Sequence, residues 1–305
     1  MLKLITIVGA TGNTGLPLLR FLSNPSSPTT SQFTIRATTR DPTSASTKYG
    51  PYFPNVSFVA VDANAEDDNL LDAALEGAEE LVLLKPFFPK DYGAAYVQRW
   101  VEGVKRGGSV KRVHLLSGLG GLSMLRGDGW TANMVTISEK PLIESDLDYT
   151  IVRPPFFHTN AFMWAAEIKS HDRLSMPWGY NRFCAISPED IAASFYQLLK
   201  EGLQKNSKRI VQITTNELLD GPTVTSAFSR ALGRPISYDS VSVEEYIKRQ
   251  VELGTPEGAA KFSGDLMKAM QTGDYEFTMA DLKTLTGRNG VSFEQWAFEN
   301  VEAFR

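Results

Sequence analysis

Leu4-Ile5-Thr6-Ile7-Val8 is an apolar run of strand length. Gly9-Ala10-Thr11-Gly12-Asn13-Thr14-Gly15 follows at once, and Leu16-Pro17-Leu18-Leu19-Arg20-Phe21-Leu22 repeats its apolar residues at helical spacing. Strand, glycine-rich turn and helix form the context in which a dinucleotide fingerprint has physical meaning. One glycine permits the tight turn, one lets a pyrophosphate approach the backbone, and one lets helix and strand pack closely. The helix start then offers unpaired N–H groups and a partial positive charge to phosphate oxygens. Pro17 suits the first helical turn, where its missing N–H costs nothing. The spacing is G-x-x-G-x-x-G, a variant of the commoner G-x-G-x-x-G.

The chain around this stretch has 305 residues, 42% of them hydrophobic, and a net charge of −4. That is enough for a large core and points to one big α/β domain or a domain plus a cap. The slight acidity gives no electrostatic footprint for nucleic acid. No apolar run reaches the roughly 18 residues of a membrane-spanning helix, so no membrane partner is expected. The chain enters a core strand directly, which leaves no room for a signal peptide. The lone Cys184 sits in Phe183-Cys184-Ala185-Ile186 and reads as a buried small hydrophobe in a reducing, cytoplasmic setting. No metal-ligating cluster stands out, and nothing in the sequence sets the oligomeric state.

Strand and helix signals alternate along the first half of the chain, which predicts a Rossmann doubly wound parallel sheet with right-handed crossovers. Phe33–Thr39 is the second strand, and Arg40-Asp41-Pro42 closes it. Its end faces the adenosine ribose in such a sheet, where an acid would take the 2′-OH of NAD. Thr39 and Arg40 stand there instead, and an Arg fork suits the 2′-phosphate of NADP. Val56–Asp62 is the third strand; Asp62 either touches the adenine amino group or caps the next helix, read as Asn69–Gly77. Glu80–Leu84 is a buried fourth strand. Lys85-Pro86-Phe87-Phe88 follows it at the carboxyl edge, where ligands bind open parallel sheets, and can flank the nicotinamide or simply pack. Arg112–Ser117 is the fifth strand, with His114 as a satisfied core histidine and Ser117 over the cofactor. A glycine-rich connection holds Trp130 as lid or core plug. Ser138–Ser145 reads as a helix and Tyr149–Arg153 as the sixth strand.

These signals set a dinucleotide-binding domain over residues 1–155. A smaller, mostly helical substrate-side region spans 156–305, with 186–215 returning to the main sheet. Phe88, Trp130, Phe156, Phe157, Trp178 and Tyr180 are the aromatic candidates for a substrate wall. The region includes a helix over Ala161–Ser170 and a terminal helix over Ser292–Phe304 whose aromatic stripe reads as core.

Gly9–Gly15, Arg40-Asp41-Pro42, Asp148–Pro154 and Ile186–Ala192 together resemble NmrA-like proteins, atypical short-chain dehydrogenases/reductases. Leu285-Thr286-Gly287 with Ser292-Phe293 is also similar to the fungal festuclavine/agroclavine dehydrogenases. The resemblance implies that Gly9, Thr11, Gly12, Asn13, Thr14 and Gly15 cradle a pyrophosphate, that Arg40 binds the 2′-phosphate, and that Asp62 lies near the adenine. Ordinary short-chain dehydrogenases carry Tyr-x-x-x-Lys on the helix before the sixth strand. Counting back from Tyr149, those positions fall at Val135 and Glu139, and the neighbours Met134 and Thr136 are poor proton donors. Ketone reduction needs a positioned acid for the developing alkoxide. An iminium or an activated conjugated system can take a hydride without one. The expectation is an NADPH-dependent reductase of a small apolar, alkaloid-like imine or conjugated molecule in secondary metabolism. Ser117, Thr136 and Glu139 are the catalytic candidates; Glu139 either steadies a cationic substrate or is an exposed helix carboxylate. The competing expectation is a non-catalytic NADP-binding redox sensor that signals to a protein partner.

Overall fold

The computed structural model describes residues 2–24, 32–62, 67–85, 91–121, 129–203 and 207–305. They fall into two units. The first comprises residues 1–118, 134–153 and 188–212, and the second 119–133, 154–187 and 213–305.

In chain order the first unit contains β1 (Lys3–Val8), α1 (Gly15–Ser23), β2 (Phe33–Thr39), α2 (Pro42–Tyr49), β3 (Val56–Ala60), α3 (Asp68–Leu75), β4 (Glu80–Leu83) and α4 (Ala94–Gly107). Then come β5 (Arg112–Leu116), α5 (Trp130–Ile143, of which 134–143 belong to this unit), β6 (Asp148–Arg153), α6 (Pro188–Glu201) and β7 (Arg209–Gln212). Its strands pair in the order β7-β6-β5-β4-β1-β2-β3, and every pairing is parallel. The chain winds outward from β1 to β3, then returns to β4 and winds the other way. The topological switch point therefore lies between β1 and β4, where such sheets open a crevice at their carboxyl ends.

Strands buried on both faces must be apolar, and Ile5, Ile7, Leu81, Val82, Leu83, Leu115 and Ile151 are buried. α4 lays Tyr96, Val97, Trp100, Val101 and Val104 on the sheet at helical spacing. Three charged exceptions are the first residues of three adjacent strands. Glu80, Arg112 and Asp148 stand side by side across β4, β5 and β6. Lys3 pairs with Glu80, and Arg112 reaches Asp148 at 2.6 Å. His114 completes the group with an Nε2 contact of 2.5 Å to Glu80. Each buried charge thus has an opposite partner, which burial requires.

The second unit is built on an aromatic core. Phe156 stacks on Trp164 at 6.0 Å, Trp178 lies 4.6 Å from Phe183, and Phe228 lies 4.5 Å from Phe304. A three-stranded sheet (Leu218–Leu219, Phe183–Ile186, Phe156–Phe157) and a parallel pair (Arg173–Met176 with Ser237–Ser240) frame it. Cys184 is buried, and burial pushes its thiol up to about 12, so it is an apolar filler. The terminal stripe of Phe293 and Trp296 packs into this core.

Several element boundaries differ from the sequence reading; the terminal helix read as Ser292–Phe304, for one, divides into an α-helix, Phe293–Glu299, and a 3₁₀ segment, Val301–Phe304. The helix read as Ser138–Ser145 is α5, which begins at Trp130. Its first half contains Thr131, Val135, Thr136 and Ile137, whose β-branched side chains lower helix propensity; tertiary packing overrides that preference. The helix read as Ala161–Ser170 divides into a 3₁₀ segment, His158–Trp164, and an α-helix, Ala165–His171. α2 follows β2 directly: the Asp41 carboxylate accepts from the Ser44 amide at 2.9 Å, and Pro42 occupies the first helical position.

Candidate functional site at the carboxyl edge of the sheet

The turn after β1 is shaped by what glycine lacks. Gly9 has φ +76°, and a methyl there would stand 2.6 Å from the Leu84 carbonyl oxygen. A methyl at Gly15 would meet the Gly9 carbonyl oxygen at 2.3 Å and two atoms of the Ala10 carbonyl at 2.5 Å. The Gly12 amide donates to the Gly9 carbonyl at 3.0 Å, which closes the turn. Gly12 and Asn13 are exposed. Thr14 caps α1 without a side-chain bond to its amides; the Leu16 amide donates to the Gly12 carbonyl at 3.1 Å, and Pro17 has no N–H. Close helix–strand packing and an exposed turn at the start of a helix together fit a diphosphate.

At the end of β2, Thr39 is half-buried and Arg40 is exposed. Thr39 accepts from the Asp41 amide at 3.4 Å, and Asp41 caps α2, so the backbone on both sides of Arg40 is fixed. The Val61 amide donates to the Thr39 carbonyl at 2.9 Å, which brings the half-buried Asp62 to the same edge. Thr39, Arg40 and Asp62 thus gather at the ends of neighbouring strands. An unburied guanidinium fork there suits a phosphate ester.

The ends of β4, β5 and β6 carry the other polar groups. Leu84 donates its amide to Val8 at 3.2 Å, so Lys85 emerges beside the glycine turn. The Lys85 ammonium donates to the Tyr92 carbonyl at 3.3 Å. Its pKa lies below the ordinary lysine value because burial penalises the charge, while the Glu139 carboxylate opposes that shift. Ser117 donates its amide to the Val152 carbonyl at 2.9 Å, and among the described residues its buried hydroxyl has no partner. Val135 on α5 is buried, and a methyl at Gly118 would lie 3.8 Å from it.

Glu139 corrects one expectation outright. It is fully buried, not an exposed helix carboxylate, and Arg153 holds it through bonds of 2.8 and 2.5 Å. Arg153 neutralises it, so Glu139 is not an open anion for a cationic substrate. Thr136 is exposed and lies next to the buried Val135. Neither position on α5 offers a titratable hydroxyl or ammonium.

The aromatic candidates divide. Phe156 and Trp178 are core side chains, 7% and 1% exposed, with Trp178 Nε1 donating to the Met267 sulfur at 2.8 Å. Their faces are spent on neighbouring rings, which corrects their reading as substrate contacts. Phe157 is partly buried, and Tyr180 is 75% exposed beside Tyr238. Pro86, Phe87, Phe88 and the Trp130 side chain lie outside the described residues. The sequence reading missed Arg153, whose only signal was its place at the end of β6, 14 residues from Glu139 in sequence but paired with it in space.

A parallel sheet with a phosphate-shaped turn at its switch point defines a doubly wound nucleotide-binding α/β protein. The family model of the NmrA-like family matches residues 1–276, and the chain belongs to that family. An "NAD(P)H azoreductase" from Xenophilus azovorans is 27% identical over 99% of this chain and 99% of its own length. The fold is also that of Escherichia coli NADPH-dependent quinone oxidoreductase complexed with NADPH (TM-score 0.82, 19% identity, 98% of this chain and 99% of that one). It is likewise that of Citrobacter sp. triphenylmethane reductase complexed with NADP(H) (TM-score 0.80, 18% identity, 97% and 99%).

Proposed function

We propose that this chain is an NADPH-dependent reductase of small apolar molecules with a conjugated, electron-accepting system. The observation that carries the reading is the pairing of two features at one sheet edge. The turn at Gly9–Gly15 fits a diphosphate, whereas α5 presents Val135 and Glu139 where a carbonyl-reducing relative would present Tyr and Lys. Arg40 selects the phosphorylated dinucleotide. The cofactor supplies the hydride, and the protein contributes orientation and an enclosed edge. The likeness to a protein named as an NAD(P)H azoreductase supports this class of reaction.

Of the two electrophile classes, the conjugated one is favoured over an imine or iminium of alkaloid type. Lys85 brings positive charge to the edge, and Arg153 neutralises the carboxylate that would have attracted a cation. The chain-end likeness to clavine dehydrogenases rests on packing residues: Leu285 and Phe293 are both buried.

The test is titration of the purified protein with NADPH and NADH by calorimetry, followed by loss of reduced-nicotinamide absorbance with an azo dye, a naphthoquinone and a cyclic imine. NADPH uptake with turnover of the first two supports the reading. Uptake without turnover of any acceptor favours the redox-sensor alternative, and absence of uptake of either dinucleotide overturns both.

A further inference from the structure

Lys85 is held in a way that packing alone does not require. It follows β4 directly, at the switch point, one residue after the Leu84 carbonyl that crowds Gly9. Its ammonium has one described acceptor, the Tyr92 carbonyl, at a long 3.3 Å. That carbonyl is presented by a backbone in three successive left-handed conformations: Asp91 at φ 49°, Tyr92 at 52° and Gly93 at 87°. Non-glycine residues adopt this region at a cost, and such strain collects at working sites.

The groups facing Lys85 leave its charge in excess. The Asp91 carboxylate is turned to the amides of Gly93 and Ala95, at 3.1 and 3.0 Å. Glu139 from α5 acts on Lys85 through its field but is bonded twice to Arg153 at the end of β6. Two cations therefore share one carboxylate, and the trio carries a surplus positive charge at a poorly hydrated edge. A preorganised positive charge of this kind stabilises negative charge that develops during reaction.

We propose that Lys85 is the proton donor to the substrate, a role that rests on the reductase reading above. The acceptor is neutral and conjugated. Its electrophilic atom forms a bond to the hydride leaving the dihydronicotinamide, and the electron pair of its π bond moves to the terminal heteroatom. That heteroatom takes a proton from the Lys85 ammonium as the N–H bond breaks. A bound reduced dinucleotide would supply the hydride with its electron pair, so the acceptor would gain two electrons and two hydrogens, and the neutral Lys85 amine would recover its proton from water. The surplus charge also sets specificity, because it favours a neutral acceptor over a cationic one.

The experiment compares wild type, Lys85→Met and Lys85→Arg with 1,4-naphthoquinone and NADPH. Lys85→Met should bind NADPH within about threefold of wild type yet lose about 100-fold in kcat, the scale of a missing general acid. Lys85→Arg keeps the charge but holds its proton too tightly to give it up, so its kcat should stay low. Wild-type kcat should fall on the alkaline side, starting below the ordinary lysine range, and both variants should lack that limb. A readout independent of turnover is amine labelling of Lys85 followed by peptide mass spectrometry, in which NADP⁺ should protect the residue. Wild-type kcat in Lys85→Met, full activity in Lys85→Arg, or labelling unaffected by NADP⁺ would each overturn the donor role while leaving the reductase reading intact. Bound NADPH with no wild-type turnover would overturn both.

Discussion

Arg153, at the last position of β6, grips the buried Glu139 of α5 through Nε at 2.8 Å and Nη2 at 2.5 Å. The bidentate fork orients the carboxylate and ties α5 to the sheet edge. Breaking a buried pair by removing one partner is costly because the other charge is stranded. Arg153→Met should therefore lower stability by about 3–5 kcal/mol in chemical denaturation. Arg153→Met combined with Glu139→Leu should recover most of that loss, since an apolar pair leaves no charge unpaired. A double variant no more stable than Arg153→Met would mean that the pair is not what the single change removes.

Gly15 and Gly12 separate the packing and binding parts of the turn. Gly15→Ala sets a methyl against three backbone atoms at 2.3–2.5 Å, none of which can rotate away. It should lower the melting temperature and abolish NADPH uptake in calorimetry. Gly12→Ala meets only the Gly9 carbonyl oxygen at 3.2 Å, and Gly12 is exposed. It should leave the melting temperature near wild type while weakening NADPH binding. Equal melting losses in the two variants would contradict this division.

Arg40 should govern the choice between dinucleotides. A hydrogen bond to a charged group contributes about 1.5–3 kcal/mol. Arg40→Gln should therefore weaken NADPH binding about 10- to 100-fold and leave NADH binding unchanged. A parallel loss for both dinucleotides would move the 2′-phosphate contact elsewhere.

The fold class was legible because two periodicities alternate regularly from Leu4 to Arg153 and because the Gly9–Gly15 turn stands between the first strand and helix. The first half of α5 was not, since Val135, Thr136 and Ile137 have an extended local preference that packing overrides. Asp41-Pro42 held a readable cap-and-first-turn signal for α2, masked by its equally good reading as a strand end. The Glu139–Arg153 pair could not be read, because 14 residues of sequence separation conceal a contact made only when helix and strand pack. Aromatic residues are ambiguous in principle: Phe156 and Trp178 have the composition of a ligand wall and the burial of a core.

Two histidines should make stability depend on pH. His114 donates to Glu80 from the middle of β5, and burial together with the Arg112 and Lys3 charges lowers its pKa to about 3. His158 packs edge-on against Phe293 at 5.4 Å, and burial alone lowers its pKa to about 3. Both imidazoles are neutral in the folded protein at neutral pH, but they take up protons near pH 6.5 once the chain unfolds. The unfolded state therefore binds more protons below that pH, so stability is full above about 6.5 and falls as pH drops toward 3. Each histidine adds a slope of about 1.4 kcal/mol per pH unit. His158→Phe replaces a desolvated base by a ring suited to the surrounding aromatics. Denaturant titrations at pH 7 and pH 5 should show a smaller loss of stability for His158→Phe than for wild type. Equal losses in the two proteins would show that His158 is protonated alike in the folded and unfolded states.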